Sequence, residues 1–370
     1  MTGKRTLFVT RPSLPPLADV MPMIEKIWAS RILTNSGPYH AEFINGLKSY
    51  LGIEHISLVT NATVGLMLSV RQLGLTGEVI TTPFSFVATG HALLWGGVRP
   101  VFVDINPKTL NIDASKIEAA ITPRTTGIMA VHCYGRTCDV EAIEDIASRH
   151  KLRVIYDAAH AFGVQHKGQS VLKYGNLSVL SFHATKVFNT LEGGAIICPD
   201  KETKEQIDRL VNYGIVDEQT IETIGFNAKM SELTAALGIV QLRHIDNYIE
   251  QRRLVDARYR ELLANATGIR FVHPSGMAPS NYYSFPILVG PEHGRTRDQL
   301  YQALRDNDIY ARRYFFPLIS DLPMYKRLPT EPVRELQHAT EVADRILCLP
   351  MYADLSAAEQ ERIAAVIRGL

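Results

Sequence analysis

Seven short apolar runs spaced along residues 50–200, with helix-like stretches between them, leave few architectures open to this chain. They lie at 56–59, 78–81, 99–103, 127–131, 153–156, 177–182 and 195–198. Most lack the polar alternation of a strand with one wet face, so they read as strands buried on both sides. Residues 63–73, 87–94 and 140–150 each follow a strand and a polar or proline-containing turn, as helices returning across a sheet do. The pattern predicts an α/β fold, a mostly parallel sheet covered by helices on both faces.

The remainder reads as a smaller unit. From Ser231 to about residue 263, apolar residues recur at three- and four-residue spacing (S-E-L-T-A-A-L-G-I-V-Q-L-R-H-I at the start), which predicts a long helix, continuous or broken, that connects two domains. Beyond it, 283–289 reads as a strand, 297–307 as a helix, 342–348 as mixed and 356–368 as a last helix. A chain of 370 residues exceeds the roughly 250–300 residues at which single cores stop growing. The expected division is a large domain over 1–245, with an N-terminal arm, and a small α+β domain over 246–370. The stretch 314–330, with three prolines, is long enough to suggest a functional role.

Composition excludes several classes of function. The formal net charge is +1 with Lys and Arg spread along the chain, so no basic stripe offers itself to nucleic acid. Apolar runs fall far short of the roughly 18 residues that span a bilayer, and the N-terminus lacks a signal peptide's pattern, so no membrane association and a cytoplasmic location are expected. Cys133, Cys138, Cys198 and Cys348 are scattered, which predicts reduced thiols and no metal site.

In open parallel sheets ligands gather at the carboxyl ends of strands. Four polar segments follow the strand candidates: T-N-A-T-V-G at 60–65, P-F-S-F-V-A-T at 83–89, D-A-A-H at 157–160 and S-F-H-A-T-K at 181–186. Asp157 alone is equally a helix cap, a metal ligand or a cofactor contact. A lone Lys186 after a strand is ordinarily solvated. The two together, at the ends of two buried strands, favour a cleft in which a lysine needs an explanation.

These segments, with L-T-N-S-G-P-Y at 33–39, L-E-G-G-A-I at 191–196, G-F-N-A-K-M-S-E-L at 225–233 and Y-F-F-P at 314–317, resemble the DegT/DnrJ/EryC1/StrS sugar aminotransferases. The resemblance covers essentially the whole chain and implies a fold-type I pyridoxal phosphate (PLP)-dependent transferase: a three-layer large domain with a mostly parallel sheet, plus a smaller α+β C-terminal domain. By this resemblance Lys186 forms the Schiff base with PLP and shuttles the proton, while Asp157 keeps the pyridine nitrogen protonated. Phe86 stacks on the cofactor ring, the alternative being an ordinary core Phe. His160 lies near the phenolate oxygen, where many relatives carry Gln. The N–H groups of Ala62 and Thr63, at a helix start, bind the phosphate with the Ser181 hydroxyl; relatives often have Gly at the place of Ala62. Asn227 reaches the phosphate of a neighbouring subunit's cofactor, which implies a homodimer with shared active sites. His183, Asn189, Arg312 and Tyr314 border the sugar site, with a solvated or structural role open for each. Gly193 and Gly194 are read as turn residues.

F-H-A-T-K-V-F-N-T-L-E-G-G at 182–194 is similar to the branch that makes dTDP-4-amino-4,6-dideoxyglucose, and unlike the pattern of the 3-amino branch. The expected reaction takes the amino group of L-glutamate to a nucleotide-linked 4-keto-6-deoxy sugar. The alternatives are a nucleotide-sugar 3-aminotransferase, a pyridoxamine-dependent sugar dehydratase, which has His where Lys186 stands, and a non-catalytic PLP-binding regulatory protein, which predicts loss of Asp157, Lys186 or the phosphate turn. A Rossmann oxidoreductase fails for want of G-x-G-x-x-G after the first strands.

Overall fold

A computed structural model describes residues 5–272, 281–328 and 335–369. Seven strands build the central sheet: β1 (Ile56–Val59), β2 (Glu78–Thr81), β3 (Arg99–Phe102), β4 (Thr125–Val131), β5 (Arg153–Asp157), β6 (Leu177–Ser181) and β7 (Gly194–Ile197). Their order across the sheet is β1-β7-β6-β5-β4-β2-β3, and only β7 runs antiparallel to its neighbours. All seven runs predicted as strands are present.

The absence of polar alternation has a visible cause. Ile80, Ile128, Val154, Leu180 and Ala195 face one core, while their strand neighbours Val79, Met129, Ile155, Val179 and Ile196 face a second core on the opposite side. Helices α1 (Leu17–Ser30), α2 (Pro38–Leu51) and α5 (Val140–His150) contribute to the first core. Helices α3 (Ala62–Gln72), α4 (Ala88–Trp95) and α6 (Lys201–Val211) contribute to the second. The central residues of these strands therefore meet apolar partners on both faces of the sheet.

The stretch from Ser231 forms one unbroken helix, α7 (Glu232–Leu263), capped by the Ser231 side chain. Its first part, through Ile245, packs in the large core, and Val255, Tyr259 and Leu263 pack in the small one, so the expected division at 245/246 falls inside a helix. Strands β8 (Ile269–Phe271), β9 (Phe285–Val289) and β10 (Ile346–Leu349) form the small antiparallel sheet. Helices α8 (Arg297–Asp306) and Ala357–Arg368 pack against it. Residues Leu7–Phe8, expected with the large domain, pair instead with Ile309–Tyr310, and Leu7 is buried in the small core. The proline-containing stretch 314–328 holds a 3-10 turn and the short helix Pro323–Lys326; positions 329 and 330 of the predicted loop lie outside the described residues.

Two of the recognised motifs meet in space. The buried Glu232 carboxylate accepts the N–H groups of Tyr39 (2.8 Å) and His40 (2.9 Å) in the first turn of α2. A Cβ at Gly37 would come within 2.7 Å of that carboxylate and push it off these donors. The helix N-terminus offers Glu232 partial positive charge as well as the donors. Asp104, after β3, reaches the C-terminal region: its carboxylate accepts from Lys116 (2.9 Å) and from the N–H groups of His338 (3.1 Å) and Ala339 (2.8 Å).

Candidate active site

Asp157 ends β5 at the carboxyl edge of the sheet and is buried. One oxygen accepts from Thr89 Oγ1 (2.7 Å) and the other from the Ala159 N–H (3.1 Å). Thr89 also shares a hydrogen bond with Ser85 (2.8 Å), so the turn leading into α4 orients the carboxylate. Burial raises the Asp157 pKa above the ordinary carboxylate value, outweighing these two bonds and the charge of Lys186. A carboxylate in this state gains from a cationic N–H placed against it.

Lys186 lies on the turn after β6, half-buried, with Nζ 3.4 Å from the Tyr283 hydroxyl and 5.0 Å from the centre of its ring. Burial pushes its pKa down to about 8, against the opposing pull of Asp157. A lysine whose pKa is brought this close to physiological pH gives up its proton far more readily than an ordinary one, as a nucleophile or proton carrier must. His160 is buried, and its Nδ1 accepts the Tyr134 N–H (3.3 Å). Burial, then the charge of Lys186, holds its pKa well below the ordinary value. The neutral ring therefore carries its proton on Nε2.

The 60–65 turn opens α3. Asn61 caps α3 by accepting the Val64 N–H (2.9 Å), and the N–H groups of Ala62 and Thr63 lie in the first helical turn, outside the helix's own ladder. Ser181 ends β6, buried, with Oγ accepting the His183 N–H (3.4 Å). The reading of Gly193 and Gly194 as turn residues is corrected: neither has positive φ. Gly194 opens β7, where a Cβ would stand 2.9 Å from the Ala62 nitrogen and 2.8 Å from the Leu180 oxygen, and at Gly193 a Cβ would stand 2.3 Å from Thr190 Oγ1. Close approach requires these glycines.

Phe86 is 57% exposed on the turn before α4, which rules out an ordinary core role. Asn227 is also exposed, and the next residue, Ala228, accepts the Thr60 N–H (2.8 Å), which holds the 225–233 motif against the 60–65 turn. His183 is half-buried; Nδ1 pairs with Thr185 Oγ1 (2.8 Å) and Nε2 stands 3.6 Å from Glu192. Tyr314 is half-buried, its carbonyl accepts the Tyr134 hydroxyl, and burial pushes its pKa up to about 12. Arg312 is exposed and pairs through its backbone with Cys348. Asn189 is a correction. It is completely buried, its Nδ2 donates to the Ser13 carbonyl (3.0 Å), and it anchors the N-terminal arm, leaving no face for a sugar.

Sequence reasoning missed Thr89, although it stands in the flagged segment 83–89, and missed Tyr283, which nothing local distinguishes from any aromatic residue entering a strand. Among the described residues no group of His, Cys, Asp and Glu is arranged to hold a metal, and no helix is long and apolar enough to cross a membrane.

The sequence profile of the DegT/DnrJ/EryC1/StrS aminotransferase family matches residues 18–368. A dTDP-4-amino-4,6-dideoxy-D-glucose transaminase of Shigella dysenteriae is 52% identical over 365 residues, covering 99% of each chain. One of the same name from Escherichia coli is 49% identical, again over 99% of each chain. Among solved structures, DesI crystallised in the presence of its TDP-sugar product superimposes with a TM-score of 0.94 at 34% identity, covering 99% of this chain and 93% of that one. The fold is that of the fold-type I PLP-dependent transferases.

Proposed function

The chain belongs to the DegT/DnrJ/EryC1/StrS aminotransferase family, and from that premise we propose that it uses PLP to move the amino group of L-glutamate onto dTDP-4-keto-6-deoxyglucose, giving dTDP-4-amino-4,6-dideoxyglucose. The substrate rests on the two transaminases that match it end to end. The observation that carries the chemistry is the buried Asp157 at a strand end, close enough to feel the charge of a lysine whose pKa burial lowers to about 8.

The residues present fit the cofactor. When bound, PLP supplies an aldehyde that takes up the donor's nitrogen and a ring that accepts the electron pair released at the donor's Cα. Asp157 would accept the ring nitrogen's N–H, keeping that nitrogen protonated, and its own raised pKa would fall on gaining the partner. Phe86 would cover one ring face. His160 would donate from Nε2 to the phenolate oxygen. Ala62, Thr63 and Ser181 would hold the phosphate, where the helix start favours an anion. Lys186 would anchor the cofactor and, once displaced by the donor, move a proton with its amine. His183, Arg312 and Tyr314 would meet the sugar nucleotide.

The same reading makes the working unit a homodimer in which Asn227 of one copy reaches the phosphate held by the other. The exposed apolar side chains around Asn227 support it: Ile221 is 69%, Ile224 78% and Phe226 48% exposed, more than a free surface ordinarily carries in one place.

The test is an absorption spectrum of the purified protein. A band at roughly 400–430 nm, a property of the lysine-bound cofactor, is expected, with loss of the band when L-glutamate is added. A panel of dTDP-linked keto sugars then follows, with the aminated carbon identified by NMR. No band and no PLP uptake would refute the cofactor assignment; amination at C3 would refute the substrate assignment alone. Lys186→Ala is expected to lose both the band and transfer.

A further inference from the structure

Tyr283 is held more firmly than an aromatic residue at a strand entry needs. Asn281, buried, accepts the Tyr283 N–H (3.1 Å) and donates to the carbonyls of His160 (2.8 Å) and Phe162 (3.0 Å). The completely buried Arg252 of α7 donates to the carbonyls of Tyr283 (3.4 Å) and Met351 (3.2 Å). The Tyr283 ring lies flat on His160, 4.2 Å between centres and 14° from parallel, with Lys186 Nζ above it. A residue of the small domain thus reaches the two cofactor contacts that the large domain supplies.

We propose that Tyr283 is the positioning residue for the Lys186 amine: its hydroxyl oxygen takes one N–H of Nζ and leaves the rest of the nitrogen facing the reacting carbon. This rests on Lys186 being the cofactor lysine, as proposed above. An ammonium has three N–H groups and a free amine two, so one can stay on the phenol oxygen in both states. The lone pair of the amine, or one of the two remaining protons of the ammonium, is then free to exchange with the substrate. A carboxylate at this place would hold the ammonium too tightly to let the proton go. The phenol stays neutral, because burial raises its own pKa, so it does not compete for the proton in transit. The other ionisable groups around the pair are Asp157 from β5, His160 from the loop after it, Tyr314, Arg252 of α7, Cys133 and Cys348.

Tyr283→Phe keeps the ring and its stack on His160 while removing the oxygen. In the cofactor-free protein, the pH dependence of Lys186 labelling by a small amine reagent, read by mass spectrometry, is expected to move down by about one pH unit, since the ammonium loses more with the acceptor than the amine does. In the loaded enzyme, the glutamate half-reaction is expected to slow about tenfold with an unchanged KM, as misaligned proton transfer should. The kinetic isotope effect with Cα-deuterated glutamate should rise. An unchanged labelling titration together with an unchanged isotope effect would overturn the proposal. Should Tyr283→Phe fail to fold, Tyr283→Trp, which keeps an aromatic slab but displaces the polar atom, gives the same measurement, and a titration matching the unaltered protein overturns the idea. If the protein takes up no PLP, the labelling arm still reports on the Tyr283–Lys186 contact, so the two readings fail separately.

Discussion

The two edges of the central sheet each bury a carboxylate, and they treat it in opposite ways. At the amino edge, Glu78 opens β2 and is bonded by Arg99, by Arg124 Nε (2.7 Å) and by Thr122 Oγ1 (2.7 Å). Burial pushes its pKa up, but these bonds overcome the effect and leave it below the usual value. At the carboxyl edge, Asp157 has one hydroxyl and one backbone N–H, and burial prevails. Glu78 is a finished ion cluster that locks the register of β2 and β3. Asp157 has no such cluster of guanidiniums, and under the function proposed above a protonated ring nitrogen would be its cationic partner. An under-neutralised buried charge is what separates a site from a scaffold.

The largest expected effect that would break this contrast lies at Asp157. Asp157→Asn should lower transfer on the order of a thousandfold, the upper range for losing a group that sets a protonation state. Its melting temperature without cofactor should equal or exceed that of the unaltered protein. An amide can accept from Ala159 while Thr89 turns its proton to Ser85, and a costly buried charge is gone. A substantial loss of stability would mean that Asp157 is structural, like Glu78.

Glu78→Gln should do the reverse. Leaving Arg99 and Arg124 short of a carboxylate is expected to cost about 2 kcal/mol in denaturant unfolding, moderated because both guanidiniums reach solvent, with kcat unchanged. The pH dependence of these two stability differences sharpens the comparison. The Asp157 pKa is raised on folding, so its contribution is present below about 3.8 and lost as pH rises through the folded value; the gain of Asp157→Asn should grow with pH. The Glu78 pKa is depressed, so its contribution is present above about 4.5 and lost as pH falls through the folded value; the deficit of Glu78→Gln should shrink in acid. Slopes of the same sign in cofactor-free melting series would contradict this assignment.

The smallest effect tests the correction at Asn189. Asn189→Ala should cost about 1 kcal/mol, the worth of one buried hydrogen bond, by loosening the arm at Ser13, with the KM for the sugar unaltered. A raised KM without destabilisation would return Asn189 to the sugar site.

Much of the site was legible in the sequence because strand ends are local features. Asp157, Lys186 and the 60–65 turn each follow an apolar run, so their neighbourhood at one edge of the sheet followed from the strand pattern. Helices α1 and α2 went unread: α1 carries Pro22 in its interior, and the start of α2 at Gly37–Pro38 made sense only once Glu232 was seen to occupy its N-terminus. The antiparallel direction of β7 was equally invisible, since a run buried on both faces looks the same in either direction.

What the sequence by itself determined is what periodicity and local chemistry encode: strands buried on both faces, the long helix, and a lysine and an aspartate at strand ends. Only the tertiary structure decided which buried carboxylate is left short of positive charge, that Asn189 holds the arm, and that Tyr283 reaches Lys186 from 97 residues away. The reason is physical. A side chain's propensity travels with its neighbours in the chain, whereas its burial and its partners belong to the packed whole, where segments far apart in sequence supply or withhold the compensating groups.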